Sequence, residues 1–146
     1  MTVASIQKIA VVSPLGGSGR TTLAVHLATL LAERATPCLA IDLCAQNMLG
    51  RHLGMQEATD AGWAALAAQQ QWWGPAALRN SDGVDLLPFG AATTSELEIL
   101  KREWALTPRW LRDRLDALDM PQGTTVLLDT PQWPAPLACQ ALSSAH

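Results

Sequence analysis

Three glycines, Gly16, Gly17 and Gly19, stand within four positions of one another and are followed by Arg20, Thr21 and Thr22. A loop of this kind turns backbone N–H groups inward, and a helix that opens at its end adds about half a positive charge. Such a nest suits a chain of phosphates. Arg20 supplies a cation, and Thr21 a hydroxyl of the type that meets magnesium beside bound phosphates. Two acids, Asp42 and Asp129, each close an apolar run. The carboxyl ends of parallel strands are where open α/β sheets bind ligands, so both acids belong at such an edge. The strict phosphate-loop spacing, G-x-x-x-x-G-K-[ST], is broken, because Pro14 takes the first glycine and Arg20 takes the lysine. The plainer reading makes the loop a turn that packs helix on strand, and each aspartate a turn cap.

The elements that must position these residues are legible around them. Residues 8–13 form an apolar, β-branched run that suits a strand buried on both faces. After the glycines, Leu23, Leu27, Leu30 and Leu31 recur at helical spacing and predict a buried stripe, with His26 on its flank as a surface residue. Thr36-Pro37 stops that helix. Cys38–Asp42 is a second strand. A loop over 43–56 leads to an Ala-rich helix over 59–71, ended by Trp72-Trp73-Gly74-Pro75. Residues 84–88 read as a short strand after the turn at Ser81-Asp82-Gly83. Ser95 and Glu98 fit a capping box. Thr107 fits a cap with Pro108 at the first helical position, and Leu111, Leu115 and Leu118 line the face that follows. Residues 124–129 are a fourth strand. Strands alternating with helices predict an α/β fold with a parallel sheet.

Composition narrows the function. The 146 residues fit one domain, 1–146. At 49% hydrophobic and 16% charged, the chain is no disordered segment. Ten Lys and Arg against thirteen Asp and Glu, with no basic block, give no support to a phosphate-neutralising nucleic-acid surface on this chain. Cys38, Cys44 and Cys139 fit neither a disulfide framework nor a zinc spacing, and read as reduced thiols of a cytoplasm. No cleavage pattern marks a signal peptide, and no apolar stretch reaches the ~20 residues of a transmembrane span. Of the six tryptophans, Trp72, Trp73, Trp104 and Trp110 read as core and half-exposed filler, ahead of the rival reading as partner-binding anchors. Trp133, between Pro131 and Pro134, is the one placed near the ligand edge.

Four strings occur in order: LGGSGRTT at 15–22, IDLCAQN at 41–47, DLLPFG at 85–90 and VLLDTP at 126–131. With these the chain resembles the MinD/ParA family of deviant-Walker ATPases. The resemblance implies a P-loop (SIMIBI-type), mostly parallel sheet flanked by helices. The chain would be the N-terminal part of a longer fold, cut after the strand that ends in Asp129. It implies ATP or ADP with Mg2+ as cofactor. Gly16, Gly17, Ser18, Gly19, Arg20 and Thr21 would lie along the phosphates, and Thr22 near the α-phosphate. Thr21, Asp42 and Asp129 would lie around the metal.

The departures matter as much. Leu15 stands where the family has a lysine that reaches across a dimer, and Leu cannot donate to a phosphate. Arg20 is a planar fork where the family has a compact point charge. Cys44 replaces a carboxylate near the attacking water, and Ala45 replaces a proline; no residue is assigned to catalysis, with Asp42 as a candidate. Phosphoryl transfer depends on placed charge, so these changes predict weak nucleotide binding with little or no turnover. Ile41-Asp42-Leu43-Cys44 followed by Asn47-Met48-Leu49 is similar to the cellulose-biosynthesis accessory branch, of the BcsQ/YhjQ type. That branch implies a cytoplasmic protein, peripheral to the inner membrane, that assembles or positions components of the cellulose synthase complex. It also implies a nucleotide-dependent homodimer. Two rival readings are a partition or placement ATPase of the same fold, and a pseudo-ATPase scaffold or truncated remnant without a nucleotide site.

Overall fold

The computed structural model describes residues 5–15, 19–55 and 60–146. Five strands form one sheet: β1 (Gln7–Val11), β2 (Cys38–Asp42), β3 (Leu78–Arg79), β4 (Asp85–Leu87) and β5 (Thr125–Asp129). Their spatial order is β1-β5-β2-β4-β3. All neighbours run parallel except β3, which pairs antiparallel with β4 at the sheet edge. The expected α/β class and mostly parallel sheet are therefore present. The first strand ends two residues earlier than the apolar run suggested, and the edge strand β3 follows a tryptophan-rich segment in which no strand was expected.

β2 and β5 are buried along their whole length. Their side chains alternate between two cores, as a pleated strand requires. Leu39, Ile41, Val126 and Leu128 enter one core, and Cys38, Ala40 and Leu127 the other. The second core is covered by α1 (Arg20–Glu33). Its buried residues are Ala24 and Ala28, whereas Leu23 and Leu30 are about half exposed. The leucine stripe is thus corrected. At 100° per residue, Leu23 and Leu30 lie roughly 100–120° around the helix from Ala24. Small alanines face the sheet, and Leu27 and Leu31 pack beside them as partly buried flanks. His26 is on the surface, as expected. The helix closes at Ala35 in a left-handed conformation, with Thr36 N–H donating to the Leu31 carbonyl, just before Pro37.

The first core holds Trp63, Trp73, Trp104, Trp110 and Phe89. Trp63 sits at its centre, with ring centroids 4.9 Å from both Trp73 and Phe89. The core reading therefore holds for Trp73, Trp104 and Trp110, while Trp72 is 57% exposed. Around this cluster lie α3 (Trp63–Ala68), α4 (Thr94–Leu106), α5 (Trp110–Asp116) and α6 (Pro136–Ser144). α3 is shorter than the helix expected over 59–71, whose first residue lies outside the described residues. A short helix, α2 (Met48–His52), occupies part of the segment expected to be loop.

Two caps differ from expectation. The capping box on α4 is Thr93 with Glu96: Glu96 N–H donates to Thr93 Oγ1 at 3.1 Å, and Thr93 N–H to Glu96 Oε1 at 3.0 Å. Ser95 already lies inside the helix, so the pair Ser95 and Glu98 has no free end to cap. Thr107 closes α4 instead of opening α5, which begins at Trp110 after a turn. The buried Gln140 of α6 holds that turn. Its amide donates to the carbonyls of Trp104 and Thr107 and accepts from Leu111 N–H. No helix among the described residues is long and apolar enough to cross a membrane.

Candidate functional site

β2 and β5 are adjacent, and their register puts Asp42 directly beside Asp129 at the same carboxyl edge. Val11, the last residue of β1, pairs with Asp129 from the other side. Gly19 precedes α1 at φ +85, a left-handed conformation open to glycine at no steric cost. Gly16, Gly17 and Ser18 lie outside the described residues. From the first turn of α1, Thr21 Oγ1 donates to Asp129 Oδ2 at 2.7 Å. Thr22 is exposed on the same turn. The fold thus brings Thr21, Asp42 and Asp129 together.

Asp42 also performs the capping role of the plainer reading. Its Oδ1 accepts from Cys44 N–H at 2.9 Å and its Oδ2 from Leu49 N–H at 3.2 Å, which ties the strand end to α2. The Trp63 indole donates to the Asp42 carbonyl at 2.8 Å. Asn47 clamps the neighbouring segment, with its amide bonded to both N–H and carbonyl of Gly90. Gly90 itself crosses Gly62 so closely that a Cβ on either would strike backbone. Neither the indole bond nor the Asn47 clamp has a local sequence signal, because both join residues far apart in the chain.

Arg20 is bonded to the main chain on both sides of the loop. Its Nε donates to the Thr130 carbonyl at 3.1 Å, and its Nη1 to the carbonyls of Ser13 and Leu15 at 3.3 and 2.9 Å. The guanidinium therefore braces the loop against the segment after β5. Two further bonds close that brace, Gln132 Nε2 to the Pro14 carbonyl and Trp133 N–H to the Ser13 carbonyl. Trp133 lies at the loop's flank, where its position between prolines suggested.

The electrostatics are those of acids short of positive charge. Burial pushes the Asp42 carboxyl up to about 7, against the N–H bonds from Cys44 and Leu49, and the Asp129 charge adds to the rise. Burial also raises Asp129, opposed by the Thr21 hydroxyl, Arg20 and His52. The Cys44 thiol is pushed up to about 12 by burial and then by both carboxylates. Asp129 is 1% exposed, and its Oδ1 has no hydrogen-bond partner among the described residues. A buried carboxylate oxygen left unpaired costs about 1–3 kcal/mol or more. A hydroxyl and two carboxylates, one with an orphaned oxygen, are the hard donors that Mg2+ takes, so these residues fit that ion.

A family model described as "Cellulose biosynthesis protein BcsQ" matches residues 6–146. A BcsQ from Salmonella typhi is 33% identical over 129 residues, covering 88% of this chain and 51% of that protein. The chain thus spans about half the length of this relative. Among solved structures, a Pyrococcus horikoshii septum site-determining protein MinD complexed with Mg-ADP has a TM-score of 0.74 at 25% identity, covering 96% of this chain and 55% of that one. A Mycobacterium smegmatis cobyrinic acid a,c-diamide synthase with bound ADP and magnesium has a TM-score of 0.80 at 22% identity, over 97% of this chain and 57% of that one. The second likeness speaks for the fold alone.

Proposed function

The chain belongs to the BcsQ cellulose biosynthesis family, of MinD/ParA type, and from that premise we propose that it is a nucleotide-responsive assembly factor and not a metabolic enzyme. The observation that carries the nucleotide reading is the 2.7 Å bond from Thr21 to a buried Asp129 whose strand-end neighbour is Asp42. In this reading Gly16, Gly17, Ser18, Gly19 and Thr21 line the phosphates of ATP or ADP, and Thr22 approaches the α-phosphate. Thr21, Asp42 and Asp129 hold Mg2+, which when bound neutralises phosphate charge. Arg20 acts beside the nucleotide by fixing the loop, because its Nε and Nη1 donate to the carbonyls of Thr130, Ser13 and Leu15.

Turnover is slow in this account. A thiol held near 12 stays protonated at neutral pH and neither accepts a proton nor orients water as a carboxylate does. Leu15 adds no cation to a partner's site. Binding without fast hydrolysis suits a switch whose states are read by a partner. The partners in this proposal are components of the cellulose synthase complex at the inner membrane, met from the cytoplasm, with a nucleotide-dependent homodimer as the responsive state. The test is linked stabilisation. A ligand at 100 times its Kd adds about 2.7 kcal/mol. Mg·ADP and Mg·ATP should each raise the unfolding midpoint, while phosphate release stays at background. No stabilisation by either nucleotide would favour the scaffold reading.

A further inference from the structure

Cys44 belongs to the strand-end cluster in a way its position in the sequence did not reveal. One carboxylate oxygen of Asp42, Cys44 Sγ and one carboxylate oxygen of Asp129 all lie within 4.8 Å of one another. The Cys44 side chain leans over the end of β5, with Sγ 3.7 Å from the Asp129 carbonyl oxygen. Asp129 is buried, and its Oδ1 is unpartnered among the described residues, an independent sign that a positive ligand completes this corner. We infer that Asp42, Cys44 and Asp129 form a binding site for a thiophilic divalent cation, with Zn2+ preferred over Mg2+ when no nucleotide is bound. This inference shares two residues with the nucleotide reading but does not depend on phosphate binding.

The chemistry follows from the donor set. A tetrahedral zinc takes sulfur at about 2.3 Å and carboxylate oxygen at about 2.0–2.2 Å, which sets its donors about 3.3–3.7 Å apart. Atoms within 4.8 Å need to close by at most about 1.1–1.5 Å to reach that spacing, a shift that side-chain rotation at the half-buried Cys44 and small movements of the two carboxylates supply. Three protein ligands leave a fourth position open, as in zinc sites that keep an exchangeable ligand. Binding replaces the thiol proton by the metal: the S–H bond breaks, a Zn–S bond forms, and that proton passes to solvent together with the Asp42 proton wherever that carboxyl is still protonated. Magnesium demands six hard oxygens in near-octahedral order, so the sulfur that recruits zinc is a poor ligand for it. Cys44 thus changes the corner from a hard oxygen site to a mixed one.

Cobalt absorption provides the test, in a tag-free, nucleotide-free Cys139→Ser chain from which the exposed thiol has been removed. One equivalent of Co2+ should give thiolate-to-metal charge-transfer absorption that one equivalent of Zn2+ abolishes and about a hundredfold excess of Mg2+ does not. Cys44→Ser should lose the absorption and weaken Zn2+ binding at least about tenfold, and Cys44→Asp should shift preference toward Mg2+. A readout free of variants is protection of Cys44 from alkylation by Zn2+, mapped by peptide mass. Absence of the thiolate band, an unchanged band in Cys44→Ser, or equal displacement by Mg2+ would overturn the inference. Nucleotide binding is measured separately. A chain that binds cobalt through Cys44 but no nucleotide refutes the nucleotide reading alone, and the converse refutes this one alone.

Discussion

Replacing Asp42 by Asn should change stability by an amount that depends on pH. The folded carboxyl sits at about 7 against an ordinary 3.8, chiefly through burial. The folded chain therefore keeps a proton that the unfolded chain releases. The stability linked to this group is full below about pH 4 and is lost as pH rises through about 7. At 1.36 kcal/mol per unit, the gap of roughly three units amounts to about 4 kcal/mol. About 2–3 kcal/mol of that falls between about pH 5 and pH 8. Asn carries no charge and escapes this loss, but it turns an amide NH2 toward either Cys44 N–H or Leu49 N–H. That lost bond costs about 1–3 kcal/mol at every pH. Asp42→Asn should then lie near parity with the parent at about pH 5 and be about 1–3 kcal/mol more stable at about pH 8. Urea unfolding of both proteins at the two pH values gives the difference directly. A difference that stays constant with pH, or that favours the parent more at the higher pH, would refute the reasoning.

Four further substitutions test the packing that positions the site. Gln140→Leu removes an amide that satisfies two carbonyls and one N–H at the α4–α5 turn, and should cost about 2–4 kcal/mol in urea unfolding. Gly62→Ala drives a methyl into the backbone of Phe89 and Gly90, so it should fail to give a cooperative unfolding transition or lower the midpoint severely. The pair of Lys8, whose side chain is 5% exposed, with Asp116, whose side chain is 54% exposed, should respond unequally. Lys8→Met leaves a solvated carboxylate and should change stability by less than about 1 kcal/mol, whereas Asp116→Ala strands a buried ammonium and should cost about 2–3 kcal/mol.

The sheet and the acid pair were legible because their signals are local. Cys38-Leu39-Ala40-Ile41-Asp42 and Thr125-Val126-Leu127-Leu128-Asp129 are apolar runs that end in a charge, and only a strand buried on both faces accommodates such a run. The helix face was misread because a period counts apolar positions without weighing their size. α1 lies against the sheet through Ala24 and Ala28, and the bulkier Leu23 and Leu30 are left half exposed. Caps were misplaced because Thr93, Ser95 and Thr107 are equally good capping residues by type, and only the helix boundary decides among them. The site's supports were illegible for a different reason. Trp63 to Asp42 and Asn47 to Gly90 span 21 and 43 positions, and no spacing rule reaches that far. The place of Arg20 in the motif is legible, but its bonds to Ser13, Leu15 and Thr130 are not, because they depend on where the chain after β5 runs.

Direct titration of the purified chain with Mg·ADP, alongside Gly19→Val, tests the central claim most closely. Gly19 holds φ +85 at the mouth of α1, with no atom of the described residues within 4 Å of where a Cβ would sit, so valine would strain the turn without a clash in the core. The parent should bind one equivalent saturably, and Gly19→Val should bind at least about tenfold more weakly while keeping the parent's far-ultraviolet spectrum. No saturable binding by the parent, or equal affinity in the variant, would contradict the assignment of this loop to a nucleotide.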